Sequence, residues 1–174
     1  LLVGEEGSAL DRVAHRIHAA SGRREGPFVV ADCTAVRPER ADAALFGEAD
    51  AAETPGWLRL AEGGTCLLLD VPALSLAAQA KLGEALATRR AILADGAGSY
   101  PVDARVVVTS RVALAPLVAA GAFDAELHRR LEPLTLEVPP LRARREDVPS
   151  LVLLALDRTC RRAGACPCLR TARP

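Results

Sequence analysis

A chain of 174 residues in which 50% are hydrophobic is long enough for one domain with a substantial core. Its 22 basic and 22 acidic side chains give a net charge of zero, which offers no electrostatic argument for direct binding of nucleic acid or of an anionic membrane. The sequence has no run of about 18 apolar residues and no leader-like opening, so it predicts no membrane span and a cytoplasmic location.

The first predicted element is a short apolar strand over residues 1–3, followed by a glycine-flanked turn and a helix over residues 11–20. This order is typical of a loop that binds phosphate groups through its backbone N–H groups. Such a loop ends in Gly-Lys, whereas this chain carries Ala9 and Leu10 there, and its only lysine is Lys81. The sequence therefore predicts the frame of a nucleotide site without its cation.

Further strands and helices alternate along the chain. Helices are expected to include residues 43–46 and 74–87, with a loop over residues 47–56. Strands are expected over residues 27–31, 65–69, 104–109 and 134–138. The alternation predicts an α/β fold in which helices cover both faces of a parallel sheet. The buried strand residues are expected to include Val3, Val29, Leu68, Val107 and Leu136.

Five cysteines and the absence of methionine bear on the ends of the chain. Cys33 and Cys66 lie in apolar stretches and are expected to be buried thiols. The other three crowd the last residues, where no histidine completes a metal site. The missing methionine suggests that residue 1 is an internal boundary. Because apolar periodicity ends near residue 161, we expect a core over residues 1–160 and a truncated, disordered tail over residues 161–174.

A series of motifs resembles the central ATPase domain of sigma-54-dependent transcriptional activators, a family of AAA+ ring ATPases. The similarity extends over residues 3–156 with one interruption. The motifs are Gly4-Glu5-x-Gly7, Arg16-Ile17-His18, Gly26-Pro27-Phe28-Val29, Asp32-Cys33, Leu45-Phe46-Gly47, Ala61-Glu62-Gly63-Gly64-Thr65, Gln79-Ala80-Lys81-Leu82, Val118-Ala119-Ala120-Gly121, Arg130-Leu131, Pro139-Pro140-Leu141-Arg142 and Arg144-Arg145-Glu146-Asp147-Val148-Pro149.

This resemblance implies a P-loop NTPase-like (AAA+) parallel sheet flanked by helices, with the helical lid that follows it missing or truncated. It also implies ATP and Mg²⁺ as cofactors, a ring with like or related subunits, and sigma-54 RNA polymerase as a partner. The resemblance also assigns the residues of a degenerate phosphate loop that would bind the cofactor, namely Gly4, Glu5, Gly7, Ser8 and Asp11.

The catalytic positions of the family are only partly filled. Its acid pair falls on Leu69-Asp70, or on Asp70-Val71 after a one-residue slip, so Asp70 is the remaining carboxylate and the candidate ligand of Mg²⁺. The polar sensor falls on Arg111, or on Ser110 with a slip. The two arginines that reach a neighbouring subunit's nucleotide map to Asp124 and Arg130, so that Asp70 and Arg130 are what remains of the catalytic set.

The interruption falls in the loop that contacts the sigma factor. The family carries an exposed aromatic residue in this loop. In this chain the loop is shorter than in the family, and residues 49–55 include no aromatic residue. Trp57 follows the loop and is expected at the start of a strand, packed inward. Two further candidates have plain structural interpretations: Arg12 is two positions from Leu10 and lies off its helix face, and His15 and His18 are expected at the core edge or in solvent.

Three functions follow from these observations. The first is a non-hydrolysing regulatory or assembly module in transcription, a pseudo-ATPase whose binding of ATP and Mg²⁺ is weak or absent. The second is a divergent but active ATPase that binds ATP and acts on sigma-54 RNA polymerase. The third is a decayed gene fragment.

Overall fold

A five-stranded parallel sheet is the centre of the first of two structural units, Leu1–Val138. The computed structural model describes residues 1–49 and 55–162. The strands are β1 (Leu2–Val3), β2 (Phe28–Asp32), β3 (Thr65–Leu69), β4 (Arg90–Ile92), β5 (Ser99–Pro101), β6 (Arg105–Ser110) and β7 (Leu136–Glu137). The main sheet has the order β2-β3-β6-β1-β7 with every neighbouring pair parallel, while β4 and β5 form an antiparallel pair.

Helices connect the strands. They are α1 (Leu10–Ala19), α2 (Ala41–Phe46), α3 (Trp57–Leu60), α4 (Leu76–Thr88), α5 (Leu114–Ala119) and α6 (Ala125–Leu131). The hydroxyl of Ser75 caps α4 by accepting a hydrogen bond from the Ala78 N–H group at 3.2 Å. Such a cap satisfies one of the donors that a helix start leaves without an intrahelical partner.

Two apolar clusters cover the two faces of the sheet. The smaller one joins Leu2, Leu67 and Val107 to Ala14 of α1. The larger one takes the alternate strand residues, Cys66 and Leu68 among them, together with residues of α2, α4 and α6. Side chains of a strand point alternately to opposite faces, and both faces of β3 are buried, so its residues are apolar apart from the buried Thr65.

The predicted parallel sheet flanked by helices is confirmed, and so is the burial of Leu68 and Val107. Val3 and Val29 are only partly buried. The prediction for Leu136 is wrong, because its side chain is 49% exposed. It lies on β7, which is an edge strand of two residues, and so it has a neighbouring strand on one side only.

The expectation of a strand at Trp57 is also wrong. Trp57 is the first residue of helix α3, and it is partly buried against the larger apolar cluster, so only its inward packing is confirmed. The β4–β5 hairpin was not predicted. Its strands have three residues each, with Pro101 in one of them, which is too short for a clear alternation of apolar and polar residues.

The second unit covers Pro139–Pro174 and contains helix α7 (Val148–Arg162). This helix continues two residues past the predicted domain boundary at residue 160. Residues 163–174, most of the predicted tail, lie outside the described residues, so the division at residue 160 stays a prediction. Among the helices of the described ranges, none is long and apolar enough to cross a membrane.

Candidate functional site

Three chain segments meet at the carboxyl edge of the sheet, where parallel α/β folds place their binding sites. Gly4 follows β1, Asp70 follows β3 and Arg111 follows β6. The strands hold these segments together, since β1 and β3 both pair with β6. The Gly4 N–H group also donates a hydrogen bond to the Ser110 carbonyl oxygen at 3.1 Å. The structure thus brings the loop, the single acid and the sensor position to one edge.

The loop between β1 and α1 keeps the backbone of a tight turn. The Ser8 N–H group donates to the Glu5 carbonyl oxygen at 3.0 Å, and Gly7 has a left-handed φ of 83°. Ala9, which precedes α1, is left-handed as well, with φ 56° and ψ 44°. The left-handed conformation costs a residue with a Cβ atom about 1–2 kcal/mol relative to the right-handed one. The surrounding structure therefore holds Ala9 in a backbone state that suits glycine better.

The side chain of Leu10 folds back over this loop. Its Cδ2 atom lies 3.0 Å from the position that a Cβ atom on Gly4 would occupy. Leu10 also packs on the smaller apolar cluster together with Val13 and Ile17 of the same helix. Where the resemblance puts a lysine that reaches phosphates, the structure has an apolar side chain that fills the inner side of the loop.

The other predicted loop residues do not supply a cation. Glu5 and Asp11 are exposed acidic residues, and Ser8 is buried at 1% exposure. The Nη1 atom of Arg12 is buried and has no hydrogen-bond partner in the described part of the chain. Arg12 as a whole is partly exposed, but it lies two positions from Leu10, off that helix face, and so it does not replace the lysine.

Asp70 is the single carboxylate at the end of β3. It adopts φ 55° and ψ 57°, and its N–H group donates to the Thr109 Oγ1 atom at 2.9 Å. The two residues that flank it are apolar: Leu69 packs on the smaller cluster, and Val71 is fully buried in the larger one. Neither alignment of the acid pair therefore gives Asp70 an acidic neighbour in sequence.

The structure separates the two candidates for the sensor position. The Ser110 hydroxyl is buried and donates to the Val112 carbonyl oxygen at 2.6 Å, so it is committed to a local turn. Arg111 instead reaches across the site. Its Nε atom lies 3.3 Å from Asp70 Oδ2 and its Nη1 atom 3.4 Å from Glu6 Oε2. The sequence pointed to Arg111 by position only and did not predict these ion pairs.

The two positions assigned to arginines that act on a neighbouring subunit lie on α6. Asp124 caps that helix, because its Oδ1 atom accepts a hydrogen bond from the Leu127 N–H group at 2.7 Å. Arg130 pairs with Glu126 Oε1 at 2.6 Å, one helical turn away on the same helix. The preference of aspartate for N-cap positions could have predicted the role of Asp124 from the sequence.

His15, His18, Cys33 and Cys66 have structural surroundings. His18 is buried, with its Nδ1 atom 2.9 Å from Thr65 Oγ1, and both His18 and His15 pack on the Phe28 ring. Burial raises the pKa of the Cys33 and Cys66 thiols to about 12, so both stay protonated near neutral pH. Among the described residues, no group of three or more His, Cys, Asp or Glu side chains could hold a metal ion.

The family model described as the Sigma-54 interaction domain matches residues 1–137. Among curated proteins, the Nif-specific regulatory protein of Herbaspirillum seropedicae is 38% identical over 158 residues, which is 87% of this chain and 29% of that protein. The nitrogen assimilation regulatory protein NtrX of Azorhizobium caulinodans is 36% identical over 160 residues, or 90% of this chain and 35% of the relative. The chain thus spans about a third of the length of these relatives.

Solved structures give the same assignment. The crystal structure of NtrX from Brucella abortus in complex with ATP matches with a TM-score of 0.83 and 33% identity, covering 94% of this chain and 38% of that one. The complex of the same protein with ADP matches with a TM-score of 0.84. The P-loop NTPase domain of a sigma-54 transport activator from E. coli has 20% identity and a TM-score of 0.54, a likeness that supports the fold alone.

Proposed function

Because the chain belongs to the sigma-54 interaction domain family, a family of AAA+ domains, we propose that it is a regulatory or assembly module of transcription control that does not hydrolyse ATP. The observation that carries this proposal is the packing of Leu10 against Gly4 and the apolar cluster. A phosphate loop needs a cation there to reach the terminal phosphates. The described residues of this loop offer no such cation.

ATP and Mg²⁺, the cofactors that the family implies, do not fit the residues present. Glu5 and Glu6 are exposed beside the place where phosphates would lie. The dipole of α1 favours an anion by only about 0.3–1 kcal/mol at an exposed site. That attraction is too small to hold a triphosphate against two carboxylates and without a lysine, so we propose that binding is weak or absent.

The catalytic residues are too few for hydrolysis. Asp70 has no acidic neighbour to orient the attacking water, and its carboxylate faces Arg111. Asp124 is a helix cap where an arginine would be needed, and a trans-acting arginine contributes about 10³–10⁵ in rate in related phosphoryl transfers. We infer that hydrolysis falls to background even if some nucleotide binds.

One observation favours the catalytic alternative. The left-handed Gly7 and Ala9 keep the turn that a phosphate loop requires, at a cost in backbone strain. A divergent ATPase would explain why that turn persists. It would also release phosphate from ATP, which the proposed module does not do.

The proposed partners are related AAA+ subunits in a mixed ring rather than sigma-54 RNA polymerase itself. Residues 50–54, within the predicted sigma-contact loop, lie outside the described residues. The flanking glycines meet closely, since a Cβ atom on Gly56 would lie 2.4 Å from the Gly47 nitrogen. Trp57 packs on the core instead of extending from this loop. Without an aromatic residue in the loop, we propose that the chain does not engage the sigma factor productively.

Mixing this chain with an active sigma-54 activator tests the assembly role. We expect that the chain alone, with ATP and purified sigma-54 polymerase, forms no open promoter complexes. When it is added to the active relative, it should lower open-complex formation more than an equal amount of inert protein does. The reason is that each mixed ring then contains a subunit that does not hydrolyse ATP. Open-complex formation by the chain alone would contradict the proposal.

Gly64→Ala, which is expected to destabilise the fold because a Cβ atom there would lie 2.0 Å from the Pro27 carbonyl oxygen, is the control for specificity. If it inhibits the active relative as strongly as the natural chain does, the inhibition does not come from mixed rings, and the assembly role is lost. If the natural chain has no effect at all, the same conclusion holds.

A further inference from the structure

We propose that Arg111 is a built-in counter-ion that takes the place of a metal–nucleotide complex between the loop and the end of β3. This inference deepens the proposed function and rests on it. If Arg111 balances the negative charge of the carboxylates at this site, no bound cation is needed to balance it. The structure shows one guanidinium group that faces carboxylates from two different segments, and it therefore acts as a tether that is independent of any ligand.

The geometry of the tether is direct. The Nε atom of Arg111 lies 3.3 Å from Asp70 Oδ2, at the end of β3. Its Nη1 atom lies 3.4 Å from Glu6 Oε2, in the loop after β1. A guanidinium group presents several donors in a rigid plane, so that one side chain can bridge two carboxylates. Arg111 thus contacts both the loop after β1 and the end of β3.

Charges around Arg111 are predominantly negative. Asp32 lies at the end of β2, the strand next to β3. Hydrogen bonds from Thr34 lower the pKa of Asp32, and the positive charge of Arg111 lowers it further. Three carboxylates, from Glu6, Asp32 and Asp70, therefore experience the charge of one arginine. Without Arg111, each of them would lose this positive charge.

Exposure determines how strong the tether is. The Asp70 side chain is 23% exposed, Arg111 is 52% exposed and Glu6 is 84% exposed. Exposed ion pairs contribute little, whereas a partly buried carboxylate that loses its partner is destabilising. The Arg111–Asp70 contact is therefore the stronger half, and the contact with the exposed Glu6 is expected to contribute less.

The test compares thermal unfolding of Arg111→Ala with that of Arg16→Ala, both without nucleotide. Arg16 is an exposed arginine of α1 for which the described residues show no ion pair. We expect Arg111→Ala to lower the melting temperature by about 2–4 °C, the shift that about 1 kcal/mol produces in a domain of this size. Arg16→Ala should change it by less than about 1 °C.

Two further arms identify the cause as charge rather than packing. Adding Asp70→Asn to Arg111→Ala should recover most of the lost melting temperature, because it removes the carboxylate left without its partner while keeping a side chain that tolerates the left-handed backbone. Millimolar MgCl₂ should also raise the melting temperature of Arg111→Ala above its value in NaCl of equal ionic strength. The unaltered chain should melt at the same temperature in both salts.

The proposal is overturned if Arg111→Ala melts like Arg16→Ala, or if its loss is neither reversed by Asp70→Asn nor reduced by MgCl₂. None of these measurements involves ATP. ATP hydrolysis by the unaltered chain would refute the proposed function while leaving the melting results to decide the role of Arg111.

Discussion

Gly64→Ala is expected to destabilise the domain by about 3 kcal/mol or more, a large part of the roughly 5–15 kcal/mol that typically separates the folded from the unfolded state. Gly64 is buried, and a Cβ atom on it would lie 2.0 Å from the Pro27 carbonyl oxygen. That oxygen accepts the Thr65 N–H hydrogen bond at 2.8 Å, at the start of the pairing between β2 and β3. Neither backbone segment can move away without breaking the sheet.

Gly22→Ala is the matched control, because Gly22 is exposed and no atom lies within 4 Å of its Cβ position. Its free energy of unfolding should stay within about 0.5 kcal/mol of the unaltered chain. Urea denaturation followed by the fluorescence of Trp57, the single tryptophan, measures both variants. Equal stability of the two variants would show that the close approach of Gly64 to Pro27 is not present in the folded protein.

Leu10→Lys combined with Ala9→Gly is expected to tighten ATP–Mg²⁺ binding about tenfold or more. A charge-assisted hydrogen bond contributes about 1.5–3 kcal/mol, and each 1.4 kcal/mol is a factor of ten in affinity. The glycine also relieves the left-handed strain at residue 9. Hydrolysis should nevertheless stay slow, because Asp70 remains without a second acid and Asp124 remains a cap.

Calorimetric titration of the double variant measures this gain. Leu10→Met, which keeps the apolar volume and adds no charge, combined with the same Ala9→Gly, is its control and should bind no better than Ala9→Gly alone. If the lysine variant binds ATP no more tightly than the methionine variant, the missing cation is not what limits binding, and the interpretation of Leu10 is wrong.

The sequence predicted the sheet well because its strands carry strong local signals. The run over residues 66–69 is apolar and is followed by Asp70, so both the strand and the end that carries this acid could be located. The segments around Trp57 and the β4–β5 hairpin were missed or misassigned. Their elements have three or four residues, which is too short to show either a helical period or a clear alternation of apolar and polar residues.

The site could be predicted only in part. Position alone indicated that the loop over residues 4–9, Asp70 and Ser110-Arg111 belong to one edge of the sheet, because the carboxyl ends of parallel strands converge there. The tether from Arg111 to Glu6 joins residues 105 positions apart in the chain, and no local pattern encodes such a contact. Likewise, the packing of the Leu10 side chain over Gly4 depends on the conformation of the turn between β1 and α1, which no local sequence pattern encodes.

Phosphate release from ATP by the purified, unaltered chain tests the central claim most directly. The account predicts a rate in saturating ATP and Mg²⁺ that does not exceed the rate without protein. Asp70→Asn is the companion variant, because it removes the single carboxylate at the position of the family's acid pair and so separates true turnover from a contaminating ATPase. Release that grows in proportion to the protein concentration and disappears in Asp70→Asn would contradict the account.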